Sequence, residues 1–545
     1  MSVIKVSAPK LKEKRILLPA SKSISNRVLV IRALSAVKEG IFRQDLLSGR
    51  QAEVRNVSDC DDSRVVIQAL GQLEAEQRHG TAGNGNTIDI GAAGTAMRFL
   101  SALLSVFPGV HTITGSERMR HRPIRLLADA LRQLGADIEY TGEEGFPPLR
   151  ITGKSLKGGR IRLAGNVSSQ YVSALLMAGP VMQEGLELEL TGKVVSRPYI
   201  DMTIAIMARF GVHVVTDEAA ETLTMSVPPG GYTPTAYHVE SDWSAASYWY
   251  EMVSLSTDDR ASVILPGLMR DSLQGDSRVA EYFAPLGVRT EFLSDTDGTP
   301  YVRLSRTTVN LQLLVTPYTL NLVNQPDLAQ TLVVTCCMLG IKFIFTGLES
   351  LKIKETDRMA ALRTELAKLG FDVEEENGDT LIWKGGHTTS ASKARLSDRQ
   401  AIDTYQDHRM AMSFAPVAMR TGSISINNPE VVSKSYPNFW DDIPKSGTGG
   451  TDTECCGMHE VCEKDSLLTA VSRDIEYYDD EELDRFRGVK SDEYLPPEIE
   501  EFRYILDTMR EDEVAGWIRS LTLRGVALPD ELKDEVLMII GERRQ

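Results

Sequence analysis

The stretch Leu17–Leu34, LLPASKSISNRVLVIRAL, places a cluster of polar side chains at the start of an apolar run. One capping hydroxyl is enough to begin a helix, yet this stretch supplies three serines, Asn26, Lys22 and Arg27. Backbone N–H groups at a helix N-terminus attract anions, and neighbouring cations strengthen that attraction. The stretch therefore predicts a helix whose N-terminus binds a phosphate or a carboxylate. The alternative is an ordinary cap followed by solvated charges.

Five further segments share this plan. Each opens with polar or turn residues and continues with small and apolar residues on nearly every face, which is typical of a buried helix. The six segments are SNRVLVIRALSAV, GTAMRFLSALLSV, SSQYVSALLMAGPV, WSAASYWYEMVSL, PDLAQTLVVTCCML and DHRMAMSFAPVAM. Most α/β folds bury the sheet and expose the helices, so six buried helices predict an inverted arrangement.

A second repeat consists of amphipathic helices that lead through a glycine into a strand. The glycines are 64, 76, 76 and 83 residues apart, at Gly71, Gly135, Gly211, Gly287 and Gly370. Glycine readily adopts the left-handed conformation that ends a helix, so we expect a helix-to-strand switch at each position. The two helix types together predict six α/β units.

These units divide most simply into two domains of three, with a crossing of the chain near Val239–Asp242. The helix N-termini would then converge on the cleft between the domains. The first 450 residues hold 50 acidic and 48 basic residues, so they are nearly neutral. A near-neutral body that gathers cations in one cleft is expected to bind a small, multiply anionic substrate and not a nucleic acid.

Other totals narrow the class of protein. No apolar run approaches the roughly 18 residues needed to span a bilayer, and the first residues alternate like a strand, not like a signal peptide. The six cysteines lack the spacing of a disulfide framework. We therefore expect a cytoplasmic protein that does not enter a membrane.

Residues 1 to about 440 resemble the enolpyruvylshikimate-phosphate synthase family. The strings LPASKSISNR, GTAMR, RPI, SSQ, SRPYID, KETDR and DHRMAM occur in that family's order and approximate spacing. The resemblance implies an α/β fold, the two-domain inverted α/β barrel of enolpyruvyl transferases, built from six βαβαββ-like repeats. It places the first domain at 20–240 and the second at 1–19 together with 241–440.

The resemblance also implies an activity. The family transfers the enolpyruvyl group of phosphoenolpyruvate to the 5-hydroxyl of shikimate 3-phosphate, with release of phosphate, on the pathway to chorismate and the aromatic amino acids. Addition and elimination proceed through a tetrahedral intermediate. Asp327 matches the base toward the hydroxyl, and Glu355 and Lys22 are the two candidates for proton delivery. No metal or other cofactor is implied.

Two substrate-binding sets follow from the same match. The set for shikimate 3-phosphate comprises Lys22, Ser23, Arg27, Ser168, Ser169, Gln170, Ser196, Tyr199, Asp327 and Lys354. The set for phosphoenolpyruvate comprises Lys22, Gly94, Arg122, Gln170, Arg358, His408, Arg409 and Lys434. Arginine forks suit phosphate and carboxylate because two parallel N–H bonds match two oxygens. For His408 a structural role is an equal alternative.

Two positions depart from the family pattern. Ala92 and Ser350 stand where asparagine is common, and Ala92 removes a side-chain contact near phosphoenolpyruvate. Gly94 is retained, and alanine there is associated with glyphosate resistance in the family. The altered neighbour leaves the glyphosate sensitivity of this chain open.

Two other functions compete with this interpretation. One is the cell-wall enolpyruvyl transferase, which uses a UDP-sugar acceptor on the same fold. The SKSISNR and SSQ strings favour the shikimate branch, and the segment between Asp61 and Cys336 lacks the cysteine usual in that rival. The other is a non-catalytic anion-binding protein, against which the survival of Lys22, Asp327 and Glu355 argues.

The acidic tail is a separate body. Residues 451–545 hold 26 acidic and 12 basic residues, a net charge of −14 out of −16 for the chain. Residues 441–453 predict a flexible linker, and 454–545 an acidic, mainly helical domain for interaction or regulation, including binding of an unidentified protein partner. A fused chorismate mutase suits this acidity poorly. Cys455, Cys456, His459 and Cys462 supply zinc-type ligands, but their compressed spacing favours ordinary reduced cysteines.

Overall fold

A computed structural model describes residues 2–38, 41–42, 53–78, 86–219, 221–296, 298–386 and 401–443, and in the tail 480–489, 491, 494–509, 514–524, 526–533 and 536. The chain divides into two compact units, 1–446 and 447–545. Each unit is described by itself.

Six helices of the first unit are buried along most of their length, as the sequence predicts. They are α1 (Lys22–Ala36), α3 (Gly94–Val106), α6 (Ser169–Ala178), α8 (Trp243–Leu255), α10 (Ala329–Leu339) and α12 (His408–Phe414). The other α-helices in the described part of this unit are α2 (Asp61–Arg78), α4 (Glu117–Arg120), α5 (Arg125–Gln133), α7 (Arg197–Arg209), α9 (Val279–Phe283), α11 (Arg358–Lys368), α13 (Ala418–Thr421) and α14 (Phe439–Asp442).

Four four-stranded sheets share one topology, in which a parallel pair is extended by an antiparallel hairpin. In the first cluster of the core these sheets are β6 (Asn86–Asp89), β7 (Gly109–Thr114), β8 (Asp137–Tyr140) and β9 (Leu149–Gly153), and β10 (Gly159–Ala164), β11 (Leu186–Thr191), β12 (Val215–Ala219) and β13 (Thr222–Val227). In the second cluster they are β18 (Tyr318–Asn321), β19 (Phe343–Thr346), β20 (Glu374–Glu376) and β21 (Thr380–Trp383), and β2 (Lys14–Arg15), β15 (Ser262–Pro266), β16 (Val288–Ser294) and β17 (Pro300–Arg306).

Shorter pairs complete the sheets. β1 (Val3–Ser7) lies antiparallel to β22 (Ser423–Asn427), and β5 (Val54–Arg55) lies parallel to β14 (Tyr237–His238). β3 (Val37–Lys38) lies antiparallel to β4 (Ile41–Phe42). The two strands nearest the N-terminus, β1 and β2, therefore pair with strands that follow residue 240, far along the chain.

The buried apolar residues of this unit form two clusters, which we call the first and second clusters. The first runs from Ala20 to Val239. The second combines residues of the N-terminus with residues from Trp243 to Ile443. The chain crosses between the two clusters near residue 20 and again near residue 240, and the two crossing segments lie side by side. There the Ser21 N–H donates to Glu240 O (2.8 Å) and the Asp242 N–H donates to Pro19 O (2.9 Å).

Two details differ from the sequence prediction. Gly71 lies inside α2 and not at its C-terminus, because this helix continues to Arg78. The other four glycines do have positive φ after a helix, from +83° to +103°. At the far end, α14 reaches Asp442 and Ile443 is buried in the second cluster, so any linker begins no earlier than residue 444.

The tail has an apolar core of its own. Helices α15 (Pro496–Thr508) and α16 (Val514–Arg524) contribute Phe502 and Trp517 to it. Arg524 and Asp480 form an ion pair in which both side chains are fully buried, and the Trp517 indole donates to the same carboxylate (2.9 Å). Cys455, Cys456, His459 and Cys462 lie outside the described residues, so the zinc alternative stays untested.

No helix among the described residues is long and apolar enough to cross a membrane. The described residues also contain no group of three or more histidine, cysteine or carboxylate side chains able to hold a metal ion.

Candidate active site

A cavity of about 420 Å³ lies where the N-termini of the six buried helices meet. Each helix presents its first turn or the residues just before it. These residues are Lys22 and Ser23 on α1, Gly94 on α3, Ser169 and Gln170 on α6, Asp242 and Ser244 on α8, Asp327 before α10, and His408 and Arg409 on α12. Residues from the first and the second cluster therefore line the same cavity.

With one exception, every site residue predicted from the sequence lines this cavity. The lining includes Lys22, Ser23, Arg27, Gly94, Arg122, Ser168, Ser169, Gln170, Ser196, Tyr199, Asp327, Lys354, Glu355, Arg358, His408 and Arg409. The exception is Lys434, whose Nζ lies 2.8 Å from Oε1 of Glu355. The structure thus brings the predicted residues together, while their individual roles stay predictions.

The Asp327 carboxylate is surrounded by cations. Arg409 Nη2 lies 2.9 Å from Oδ2, Arg358 Nη1 lies 3.1 Å from Oδ1, and Lys354 Nζ lies 3.9 Å from Oδ1. The Tyr199 hydroxyl donates to Oδ2 at 2.9 Å. Burial alone would raise the pKa of Asp327, but the three cations outweigh burial and hold this pKa well below its usual range.

Glu355 has a similar environment. Its carboxylate is 2.8 Å from Lys434 Nζ and 3.0 Å from Arg358 Nη2. Burial opposes ionisation, yet these two cations keep the pKa of Glu355 well below its ordinary value. The Arg358 guanidinium group is held in place by the buried Asp407, whose carboxylate accepts a hydrogen bond from Arg358 Nε at 2.7 Å.

Lys22 is paired with a carboxylate that the sequence did not single out. Its Nζ lies 3.3 Å from Asp62 Oδ2, and Asp62 is almost fully buried at the start of α2. Burial lowers the pKa of Lys22, but the attraction of nearby carboxylates, Asp62 first and then Glu355, more than compensates, so the pKa is raised. The Lys22 side chain is therefore a stable ammonium group.

His408 lies in the same wall as a neutral ring. It is buried, and neither ring nitrogen has a hydrogen-bond partner among the described residues. The pKa of His408 lies well below its usual value, mainly because the ring is buried and secondly because Lys22 and Arg409 repel a protonated ring. A neutral imidazole with a free N–H can donate to an anion without adding charge.

Three guanidinium groups in the cavity have no carboxylate within 4.0 Å among the described residues: Arg27, Arg98 and Arg122. Arg27 is held by neutral partners, including the Thr203 hydroxyl at 2.7 Å from its Nε. The Nη1 atoms of Arg98 and Arg122 crowd Gly94, since an added Cβ there would lie 2.7 and 2.6 Å from them. Burial lowers the pKa of both Arg27 and Arg98 to about 10. The cavity therefore holds positive charge that anionic ligands can neutralise.

Sequence reasoning missed several residues of the wall. Asp62, Asp242 and Tyr248 line the cavity. Asp242 caps α8, accepting from the Ala245 N–H at 3.0 Å, and it also accepts from the Lys22 N–H at 3.3 Å. The position of Asp242 directly before a buried helix is a signal that could have identified it. Asp62 and Tyr248 lie within ordinary helical patterns and carry no such signal.

Comparison with known proteins decides the family. Residues 6–443 match the family described as EPSP synthase (3-phosphoshikimate 1-carboxyvinyltransferase). The chain belongs to the EPSP synthase family. The family and fold predicted from the sequence motifs are thereby confirmed.

Individual members of the EPSP synthase family agree with this assignment. A 3-phosphoshikimate 1-carboxyvinyltransferase of Bacteroides fragilis (strain YCH46) is 50% identical over 444 residues, which cover 82% of this chain and 98% of that relative. The enzyme of that name from Shewanella pealeana is 35% identical over 441 residues, covering 78% of this chain and 95% of its own. An EPSP synthase structure from Acinetobacter baumannii has the same fold, with a TM-score of 0.60 at 23% identity, covering 81% of this chain and 97% of that one.

Proposed function

We propose that this chain transfers the enolpyruvyl group of phosphoenolpyruvate to the 5-hydroxyl of shikimate 3-phosphate and releases phosphate. The observation that carries the proposal is the Asp327 carboxylate ringed by Arg409, Arg358 and Lys354 in a cavity lined by residues of both substrate sets. Family membership and the named relatives support the same reaction.

The two substrates meet at Asp327 in this proposal. Shikimate 3-phosphate binds along the serines, Arg27 and Tyr199, and phosphoenolpyruvate binds toward Arg122, Arg358 and Arg409. A carboxylate with a strongly lowered pKa is a poor base. Substrate phosphate and carboxylate groups compete for Arg409, Arg358 and Lys354, so their binding releases Asp327 from its cations and raises its basicity. Asp327 then accepts the proton of the attacking 5-hydroxyl.

Proton balance requires a second group. In the addition step the hydroxyl oxygen bonds to C2 of phosphoenolpyruvate while the C3 methylene gains a proton and becomes methyl. In the elimination step the methyl loses a proton and the C2–O bond to phosphate breaks. Lys22 is protonated and lines the first cavity, so we propose it as the proton donor to C3, although its raised pKa makes it a weak acid. Glu355 is ionised and so is suited to accept the methyl proton in the elimination step.

Other features of the chain are proposals of the same kind. The two clusters act as two domains, at 20–240 and at 1–19 with 241–443, which close on shikimate 3-phosphate and exclude water. The buried free thiols Cys60, Cys336 and Cys337 suit a reducing cytoplasm. The tail, which has a core of its own, serves to bind a protein partner.

The experiment is a phosphate-release assay with phosphoenolpyruvate and either shikimate 3-phosphate or a UDP-sugar acceptor. We expect phosphate release when shikimate 3-phosphate is the acceptor and none when the UDP-sugar is the acceptor. Asp327→Asn should reduce kcat by about 100- to 10,000-fold, whereas Asp372→Asn, an exposed carboxylate outside the cavity, should not change it. Phosphate release with the UDP-sugar as acceptor, or a failure to release phosphate with either acceptor, would reject the proposal.

A further inference from the structure

A second cavity, of about 500 Å³, lies beside the first. The two share Asp62, Arg122 and Glu355 as lining residues. Lys434, which does not line the first cavity, lines the second and contacts Glu355 at 2.8 Å. A thin wall of charged side chains therefore separates the two spaces.

The lining of the second cavity distinguishes between the two substrate sets. Arg122 and Lys434 belong to the phosphoenolpyruvate set, and Glu355 is a candidate proton carrier. Among the described residues that line this cavity, none belongs to the shikimate 3-phosphate set. The second cavity thus adjoins only the phosphoenolpyruvate end of the proposed active site.

We infer that the second cavity is the passage by which phosphoenolpyruvate enters and phosphate leaves while shikimate 3-phosphate or the product occupies the first cavity. This inference rests on the proposed function. A bound shikimate 3-phosphate lies on the other side of the phosphoenolpyruvate site, so it obstructs the route through the first cavity. The route through the second cavity stays open.

The charges of the second cavity suit the passage of a small anion. Arg118 is exposed on its wall and has no carboxylate within 4.0 Å among the described residues. Arg122 is part of the shared wall, and Lys434 contacts that wall through Glu355. Each of the three carboxylates described in its lining has a partner: Asp62 pairs with Lys22 at 3.3 Å, Glu355 pairs with Lys434 at 2.8 Å, and Asp61 accepts from the Ser433 hydroxyl at 2.6 Å. Cations along such a path raise the local concentration of an anion and its rate of entry.

The wall itself can yield to the anion. Glu355 holds Lys434 by one ion pair, and an arriving phosphate group competes for the same ammonium. Exchange of Lys434 from Glu355 to phosphate would part the wall as the anion enters. The same exchange in reverse would release the inorganic phosphate that the reaction forms.

The first test narrows the passage. Val65 on α2 lines the second cavity and not the first, so Val65→Trp should obstruct only the passage. Ile67→Trp, a half-buried site on the same helix that lines neither cavity, is the matched control. Enzyme preloaded with shikimate 3-phosphate is mixed rapidly with phosphoenolpyruvate and quenched at successive times.

A passage makes a specific kinetic prediction. In Val65→Trp the second-order rate constant for phosphoenolpyruvate should fall about tenfold, and in the reverse reaction the one for phosphate should fall by the same factor. The plateau rate at saturating phosphoenolpyruvate and the Kd of shikimate 3-phosphate, measured by calorimetry, should stay within about twofold of the wild type. An unchanged rate constant, or a loss confined to the plateau or to shikimate 3-phosphate binding, would overturn the inference.

The second test alters charge and does not depend on the folding of the tryptophan variant. Arg118→Glu should lower the same rate constant about tenfold at low ionic strength and much less at high salt, because the effect is electrostatic steering. Arg120→Glu, an exposed neighbour that lines neither cavity, is its control. Equal rates for the two variants would contradict the passage. A wild type that releases no phosphate would refute the proposed function instead.

Discussion

Gly94 is the residue at which a substitution should weaken phosphoenolpyruvate binding most clearly without affecting shikimate 3-phosphate binding. A Cβ at this position would lie 2.6 Å from Arg122 Nη1 and 2.7 Å from Arg98 Nη1, so alanine must displace both guanidinium groups. We expect Gly94→Ala to raise the KM for phosphoenolpyruvate about tenfold or more, since a charge-assisted hydrogen bond is worth about 1.5–3 kcal/mol. The Kd of shikimate 3-phosphate should change by less than about twofold. Steady-state kinetics with calorimetry will test this, and an unchanged KM would contradict it.

Two buried histidines should make stability depend on pH. Burial lowers the pKa of both His408 and His111, so the folded chain resists protonation where the unfolded chain, with a histidine pKa of about 6.5, does not. Their contribution to the free energy of unfolding is therefore complete above about pH 6.5. Below that pH the free energy of unfolding falls by about 1.4 kcal/mol per histidine and pH unit.

His408→Gln and His111→Gln should each flatten the fall in denaturation midpoint between pH 6.5 and pH 5.5. The exposed His121→Gln is the control. A fall in midpoint that is as steep in both buried variants as in the wild type would show that other groups cause it.

The cations of the site were easier to predict than their partners. Lys22 and Arg409 stand in strings that open buried helices, so their convergence follows from the placement of those helices. Asp62 reaches Lys22 from a different helix, and nothing in the local sequence of α2 specifies that contact. Ion pairs of this kind depend on tertiary packing, which residue spacing along the chain does not report.

At the scale of the element, Gly71 shows the limit of interpreting glycine as a helix end. Helices α5, α7 and α11 end two residues before Gly135, Gly211 and Gly370, and α9 ends four residues before Gly287. All four glycines have positive φ, whereas α2 continues through Gly71 for seven more residues to Arg78. A glycine inside a helix costs only about 1 kcal/mol, which the packing of a long amphipathic helix can offset.

This difference gives a prediction about stability. Among the described residues, no atom beyond the helix's own nearby backbone lies within 4 Å of a Cβ built on Gly71. The residue has helical backbone, so Gly71→Ala should stabilise the chain by about 0.5–1 kcal/mol. Gly135 has φ of +103°, and Gly135→Ala should destabilise it by about 1 kcal/mol or more, although the nearest atom is 3.7 Å away. Chemical denaturation of both variants tests the pair. A decrease in midpoint for Gly71→Ala would contradict the open space described for it.

The sheets show which part of the fold follows from sequence and which does not. The alternation of inner and outer helices predicted the repeated unit, because apolar periodicity is a local property. The unit that contains β2 is different, since β2 pairs with β15 across more than 200 residues that include the whole first cluster. A two-residue strand carries too little pattern to identify such a partner, and only the family resemblance indicated where the N-terminus belongs.

At the scale of the whole molecule, the catalytic unit should not require the tail. Both substrate sets and both apolar clusters lie within residues 1–446, and the 444 aligned residues already cover 98% of the Bacteroides fragilis relative. We expect a chain ending at Ser446 to keep kcat and both KM values within about twofold of the full chain, and to keep its thermal midpoint, since apolar burial within each cluster is unchanged. The full chain purified in parallel is the control. A truncated chain that folds but loses turnover would show that the tail acts on the catalytic unit, and one that fails to bind shikimate 3-phosphate would place that action at the first cavity.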